Sequence, residues 1–156
     1  MELKDSVTKE NLLRAFAGES QARNRYTFSA SLARKKGLHV IEAVFLYTAD
    51  QEKEHAEIFY DHLKKAGCEN VTITGANYPV DLAEDPAEML ELARNHEMDE
   101  FGDVYPAFAD KAEEEGFADV ARHFRQIAAI EKVHADRFQR FAKLLREGKL
   151  FVSDVE

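Results

Sequence analysis

Apolar residues recur along this chain in steps of three and four, the spacing of a helix with one buried face. One stripe runs Ile41, Phe45, Thr48, Glu52, His55, Phe59, His62, and another Val120, Phe124, Ile127, Glu131, His134, Phe138, Phe141, Leu145. Glycine and proline are sparse, seven and three in all, so those present mark where helices stop. Thr8 to Lys36 reads as one long helix with Ser6 or Thr8 as its N-cap. Gly37 interrupts it, and Leu38 to Ala66 reads as a second helix, stopped by Gly67. Residues 67 to about 85 hold the alternating Val71-Thr72-Ile73-Thr74, then Gly75 and Pro79, which predicts an extended connection. Asp85-Pro86 opens a third helix, with proline in its first turn, and Gly116 ends it. Phe117 to Glu147 is the fourth, closed by Gly148.

The expected fold class is therefore all-α. Residues 1–148 are read as one bundle and 149–156 as a C-terminal tail. A helix of roughly 28 residues is about 42 Å long. The extended connection can run that distance and set the third helix parallel to the second. Two antiparallel hairpins joined by a long crossover give the ferritin-like arrangement of a four-helix bundle. The halves also resemble each other. Glu52-Lys-Glu-His55 recurs 79 positions later as Glu131-Lys-Val-His134, and the same offset maps Gly37 onto Gly116, Phe45 onto Phe124, Phe59 onto Phe138 and Tyr26 onto Tyr105. A duplicated hairpin with a pseudo-two-fold axis is implied.

Composition narrows the function classes. With 30 acidic against 21 basic residues and a formal charge of −9, the surface repels nucleic acid and anionic lipid. A single cysteine, Cys68, excludes an internal disulfide and a cysteine-built iron or zinc centre. No long apolar run or signal-like N-terminus occurs, so a cytoplasmic location is expected.

Both Glu-x-x-His pairs sit inside apolar stripes, and buried bare carboxylates cost several kcal/mol unless paired or bound to a cation. Their level in the bundle is informative. His55 lies 18 residues after Gly37 and Glu52 15 after it, while Glu19 lies 18 before. Glu131 and His134 stand 15 and 18 after Gly116, with Glu97 and Glu100 at 19 and 16 before. All four helices thus deliver ligand groups at one height. Five carboxylates and two imidazoles converge: Glu19, Glu52, His55, Glu97, Glu100, Glu131 and His134. Two divalent cations would set +4 against −5. Oxygen donors with one imidazole per metal suit iron or manganese better than zinc or copper. A glutamate from each of two helices plus Glu-x-x-His from each of the others is a di-iron carboxylate pattern.

These residues resemble the rubrerythrin family. The carriers are Ala17-Gly-Glu19-Ser-Gln-Ala-Arg-Asn-Arg-Tyr26, Glu52-x-x-His55, Glu97-x-x-Glu100 with Tyr105-Pro106-Ala-Phe, Glu114-Glu115-Gly116-Phe117, and Glu131-x-x-His134. The resemblance implies two iron ions bridged by carboxylates and an oxo or hydroxo group, with manganese still open. Glu52 and Glu131 would bridge, Glu19 and Glu97 would be terminal ligands, and His134 would bind the second iron. Glu100 and His55 would exchange at the first, and Tyr26 and Tyr105 would hydrogen-bond ligand carboxylates. The implied activity is reduction of hydrogen peroxide to water, linked to NAD(P)H through an external carrier, in protection against oxidative stress. Many members continue into a rubredoxin domain. Leu145 to Asp154 resembles the lead-in to it, yet the chain ends at Glu156, so a separate rubredoxin-like donor is expected. A homodimer is expected too, with hairpin swapping between subunits left open.

Adding 79 to Glu19 gives Met98, one past Glu97, whereas Tyr26 still maps onto Tyr105. One extra residue must be absorbed between Glu97 and Tyr105, and a π-bulge would do it. His39, His62, His96, His123 and Cys68 are read as non-ligands. Competing readings are a ferritin-type ferroxidase, a manganese or mixed-metal enzyme, and a metal-free helical interaction module.

Overall fold

A computed structural model describes residues 1–151 of the chain. A 3-10 turn, Leu3–Asp5, leads into α1, Val7–Lys35. Then follow α2, His39–Lys65, and, after the crossover, α3, Pro86–Asp99. A π-helical turn, Glu100–Val104, joins α3 to α4, Tyr105–Glu114, and α5 spans Ala118–Arg146. The third rod of the bundle is thus α3, the π turn and α4 in series, and the frame is the expected ferritin-like one. Most of the tail expected over 149–156 lies outside the described residues.

Local chemistry sets the boundaries. Ser6 caps α1, its Oγ accepting from the Lys9 amide at 3.1 Å. Thr8, the other expected cap, instead donates through its amide and hydroxyl to Glu115 Oε2, at 2.8 and 2.5 Å, tying α1 to the far hairpin. Asp85 caps α3 through the Glu88 amide, and Pro86 fills the first helical position. Both hairpin turns pass through glycine in the left-handed region, Gly37 at φ 74° and Gly116 at φ 90°. Each closes in the same way, with Leu38 N–H on Ala33 O at 3.0 Å and Phe117 N–H on Ala112 O at 2.7 Å.

Two apolar clusters fill the bundle. One holds Leu12, Phe59, Tyr105, Val120, Phe124 and Ile127; the other holds Tyr26, Ile41, Phe45, Leu90 and Phe138. The polar centre takes the level between them. Among the described residues, no helix is long and apolar enough to cross a membrane.

Candidate metal centre

Between the two apolar clusters, Glu19, Glu52, Glu131 and His134 are 0% exposed, Glu97 1% and His55 4%. Glu19 comes from α1, Glu52 and His55 from α2, Glu97 from α3, and Glu131 and His134 from α5. The i, i+3 spacing puts each glutamate and its histidine on one helix face.

The carboxylates divide by which imidazole they meet. Glu52 Oε2 stands 3.4 Å from His55 Nδ1, and Glu52 Oε1 stands 2.9 Å from His134 Nδ1. Glu131 does the same, with Oε1 at 2.9 Å from His55 Nδ1 and Oε2 at 2.8 Å from His134 Nδ1. Each offers one oxygen to each side. Glu19 meets only His55, at 3.8 Å, and Glu97 only His134, at 3.7 Å. Two groups able to hold a metal ion follow: Glu19, Glu52, His55 and Glu131, then Glu52, Glu97, Glu131 and His134, each within 4.8 Å. They share Glu52 and Glu131. The atoms that face inward lack hydrogen-bond partners: Glu19 Oε2, Glu97 Oε2, both oxygens of Glu52 and Glu131, and Nδ1 of both histidines. Buried polar atoms are seldom left bare, and this set has the donors, sharing and burial that a pair of cations requires.

Tyrosines complete the outer oxygens. Tyr26 Oη donates to Glu97 Oε1 at 2.5 Å, and Tyr105 Oη donates to Glu19 Oε1. Each tyrosine reaches the carboxylate of the opposite hairpin. Burial, aided by the neighbouring carboxylates, holds both phenols well above their usual pKa.

Protonation follows the crowding. Burial and the Glu52 charge push Glu19 up to about 8. Burial likewise keeps Glu97 and Glu100 well above the carboxylate range. Glu52 is lowered: burial and the Glu131 charge oppose its ionisation, but the close approach of Glu19, His134 and His55 outweighs them. Burial also opposes charge on the imidazoles, yet the carboxylates, Glu131 first, lift His134 to about 11 and raise His55 as well. Protons are retained where cations would otherwise balance the charge.

Glu100 lies apart from both sets. It opens the π turn, is half-buried, and lines a cleft of about 310 Å³ with Gly18, Gln21, Tyr78, His96 and Tyr105. The Glu19 charge is the largest electrostatic contribution to its raised pKa. Glu100 lines that cleft with Tyr105, whose hydroxyl donates to Glu19, and so borders the Glu19/His55 side. The π turn at Glu100–Val104 absorbs the residue that the repeat arithmetic required.

Sequence reasoning missed the partners outside the ligand sets. His134 Nε2 meets Gln51 Oε1 at 3.0 Å. Arg137 donates to the same Gln51 oxygen and to Thr48 Oγ1, both at 3.2 Å. That shared oxygen can only accept, so Nε2 carries the proton and Nδ1 is free to ligate. His62 and His123, both read as non-ligands, meet at 2.7 Å, and His96 meets Asp81 at 2.8 Å; neither pair touches the candidate ligand sets.

The Rubrerythrin family model matches residues 10–142. The rubrerythrin of Clostridium perfringens is 48% identical over 152 residues, covering 97% of this chain and 78% of that protein. Rubrerythrin-1 of Clostridium acetobutylicum is 46% identical over 153 residues, again covering 97% of this chain and 78% of the relative. Among solved structures, nigerythrin in a mixed-valence state superimposes with a TM-score of 0.78 at 32% identity, over 91% of this chain and 71% of that one. Nigerythrin has also been solved fully reduced, all ferrous. Kinship therefore spans the helices that carry these clusters able to bind a metal pair, and the chain belongs to the rubrerythrin family.

Proposed function

We propose that this chain is a di-iron peroxidase. It reduces hydrogen peroxide to water with electrons from a rubredoxin-like donor, fed from NAD(P)H, and so protects against oxidative stress. The proposal includes a cytoplasmic homodimer. The observation that carries it is the pair of buried ligand sets sharing Glu52 and Glu131, with Glu100 held beside one of them at the floor of a cleft.

A diferrous pair, when bound, supplies the two electrons that peroxide reduction consumes. The chain's own residues do the rest. Glu52 and Glu131 span both positions and fix their separation. Glu19 and Glu97 complete one position each, and His55 and His134 supply one nitrogen each. Tyr105 and Tyr26 hold protons on the outer oxygens of Glu19 and Glu97, so that only the inner oxygens are free to ligate. Glu100 keeps its proton because burial disfavours the anion, and it holds that proton where the cleft meets the site. The phenyl rings above and below exclude water from the remaining faces.

The test is anaerobic. Apo-protein is loaded with ferrous iron, the metal per chain is counted, and one equivalent of hydrogen peroxide is added while the absorbance of the oxidised centre is followed. Two irons per chain, oxidised by peroxide far faster than by oxygen, is the expected result. Preferential oxidation by oxygen would transfer the chain to the ferroxidases, and failure to bind iron would remove the proposal.

A further inference from the structure

The offset of 79 that superimposes the two hairpins fails at one group of side chains beside the ligands. Gln51 maps onto Ile130, Thr48 onto Ile127, and Arg137 back onto Ile58. The pair Gln51–His134 therefore corresponds to Ile130–His55. On one side the imidazole is clamped: Gln51 accepts from His134 Nε2, and Arg137 holds Gln51 and Thr48. Arg137 is itself fixed, its guanidinium lying 5.0 Å over the Tyr47 ring. On the other side the three counterparts are isoleucines, which offer no acceptor. Among the described residues His55 has carboxylate partners through Nδ1 and no hydrogen bond through its other nitrogen. His55 is also the more exposed of the two imidazoles, 4% against 0% for His134.

We infer that the Gln51–Arg137–Thr48 clamp fixes the ring of His134 for metal binding, and that Ile130 in the matching place gives His55 no such support. Gln51 is a positioning residue in this scheme, since it touches the histidine and not the metal. A metal-bound imidazole whose distal N–H is hydrogen-bonded keeps its ring orientation and its basicity, and loss of such a partner typically costs about 10–100-fold in metal affinity. The free imidazole faces the position that Glu100 borders. The unclamped imidazole and Glu100 thus fall on the same side of the site. The inference deepens the peroxidase reading by naming the residue that positions one of its two histidines. It stands on metal binding alone, so it survives or fails independently of peroxide turnover.

Cobalt(II) loading of the full chain tests it without any catalytic readout. Proton NMR of the cobalt protein should show one slowly exchanging, hyperfine-shifted imidazole N–H, from His134, while that of His55 exchanges rapidly with solvent. Gln51→Leu should abolish the slow signal and weaken one of the two cobalt positions by about 10–100-fold. Gln51→Glu, which keeps an acceptor, should restore the signal. Ile130→Gln should produce a second slow N–H. Equal exchange at both histidines in the unmodified protein, or a slow signal that persists in Gln51→Leu, would overturn the inference. If Gln51→Leu does not fold, the Ile130→Gln protein alone decides, because failure to gain a second slow signal counts against it.

Discussion

The two hairpins are built from the same parts, and where they differ the differences serve one metal position. Tyr26 packs against Phe45 and Phe138, with ring centroids 5.9 and 5.3 Å away. Tyr105 packs against Phe124 and Phe59 at 5.8 and 5.7 Å. The repeat offset exchanges these triads and, with a one-residue slip at Glu97, the two tyrosine–glutamate bonds as well. A symmetric site would be the default product of such a scaffold. Instead, the second hairpin carries one extra residue, which widens a turn into π geometry and brings in Glu100. The matching stretch of α1, Ser20 to Arg25, contains no carboxylate. The lesson is that unequal ends of such a site need little new structure: one inserted residue adds a carboxylate, and isoleucines in place of a polar clamp leave a histidine without a distal partner.

The largest expected effect ignores the asymmetry. Glu52 and Glu131 each serve both positions, so Glu52→Ala and Glu131→Ala should each empty the whole site, read as loss of both metals by elemental analysis. If one of the two variants kept a metal, the sharing of these carboxylates would be disproved.

Next comes the π turn itself. Glu100→Ala should keep both irons and slow peroxide turnover, on the order of a hundredfold if the carboxyl acts as a proton donor. Deleting Gly102, an exposed residue of the π turn, removes the extra residue and should reproduce that loss by turning Glu100 away. Single-turnover kinetics on the iron-loaded variants checks both, and turnover unchanged in either would leave Glu100 without a role. Tyr26→Phe and Tyr105→Phe should be alike. Each strips a proton donor from one terminal carboxylate and should weaken metal binding by about 10–100-fold. Unequal losses would show that the asymmetry extends to the tyrosines.

Acidity separates the empty site from the filled one. The folded-state pKa values of Glu19, Glu97 and Glu100 are raised, Glu19 to about 8. A carboxyl that holds its proton more tightly when folded adds stability below its unfolded pKa of about 4.5 and loses it as pH rises through the folded value. Thermal unfolding of apo-protein should therefore shift to lower temperature between roughly pH 5 and 8. Metal binding displaces those protons, so the loaded protein should gain stability over the same range. Parallel profiles for the two forms would contradict the site's charge balance.

Much of this was legible in the sequence because glycine and carboxylate positions are one-dimensional facts. Gly37 and Gly116 end helices through their own backbone preferences, and counting outward from them set Glu19, Glu52, His55, Glu97, Glu131 and His134 at one height. The same counting required the π turn, since Glu97 to Tyr105 is one residue longer than Glu19 to Tyr26. Contacts between hairpins were not legible. Thr8 looked like a cap and proved to be a tether for Glu115. His62 and His123 meet across α2 and α5, and Gln51 supports His134 across the same interface. Such pairings depend on how two hairpins rotate against each other, which no spacing within one helix encodes. Gln51 and Ile130 could have been found from the repeat alone, as a polar residue facing an apolar one at a position next to the ligands.

The smallest expected effect probes the part that is most nearly symmetric. Gly37 and Gly116 turn the two hairpins with φ of 74° and 90°, and a Cβ built at either would meet nothing within 4 Å. An alanine there is penalised only through the left-handed backbone, by about 1–2 kcal/mol. Gly37→Ala and Gly116→Ala should therefore cost the same within error, lowering Tm by roughly 2–4 °C per kcal/mol in a chain of this size. Neither turn touches a ligand, so metal content and peroxide turnover should stay at their original values. Chemical denaturation of the two apo-proteins gives the comparison directly. A loss confined to Gly116→Ala would mean that the hairpin carrying the π turn holds less stability in reserve, and that its extra residue is maintained at the expense of the helix pair that contains it.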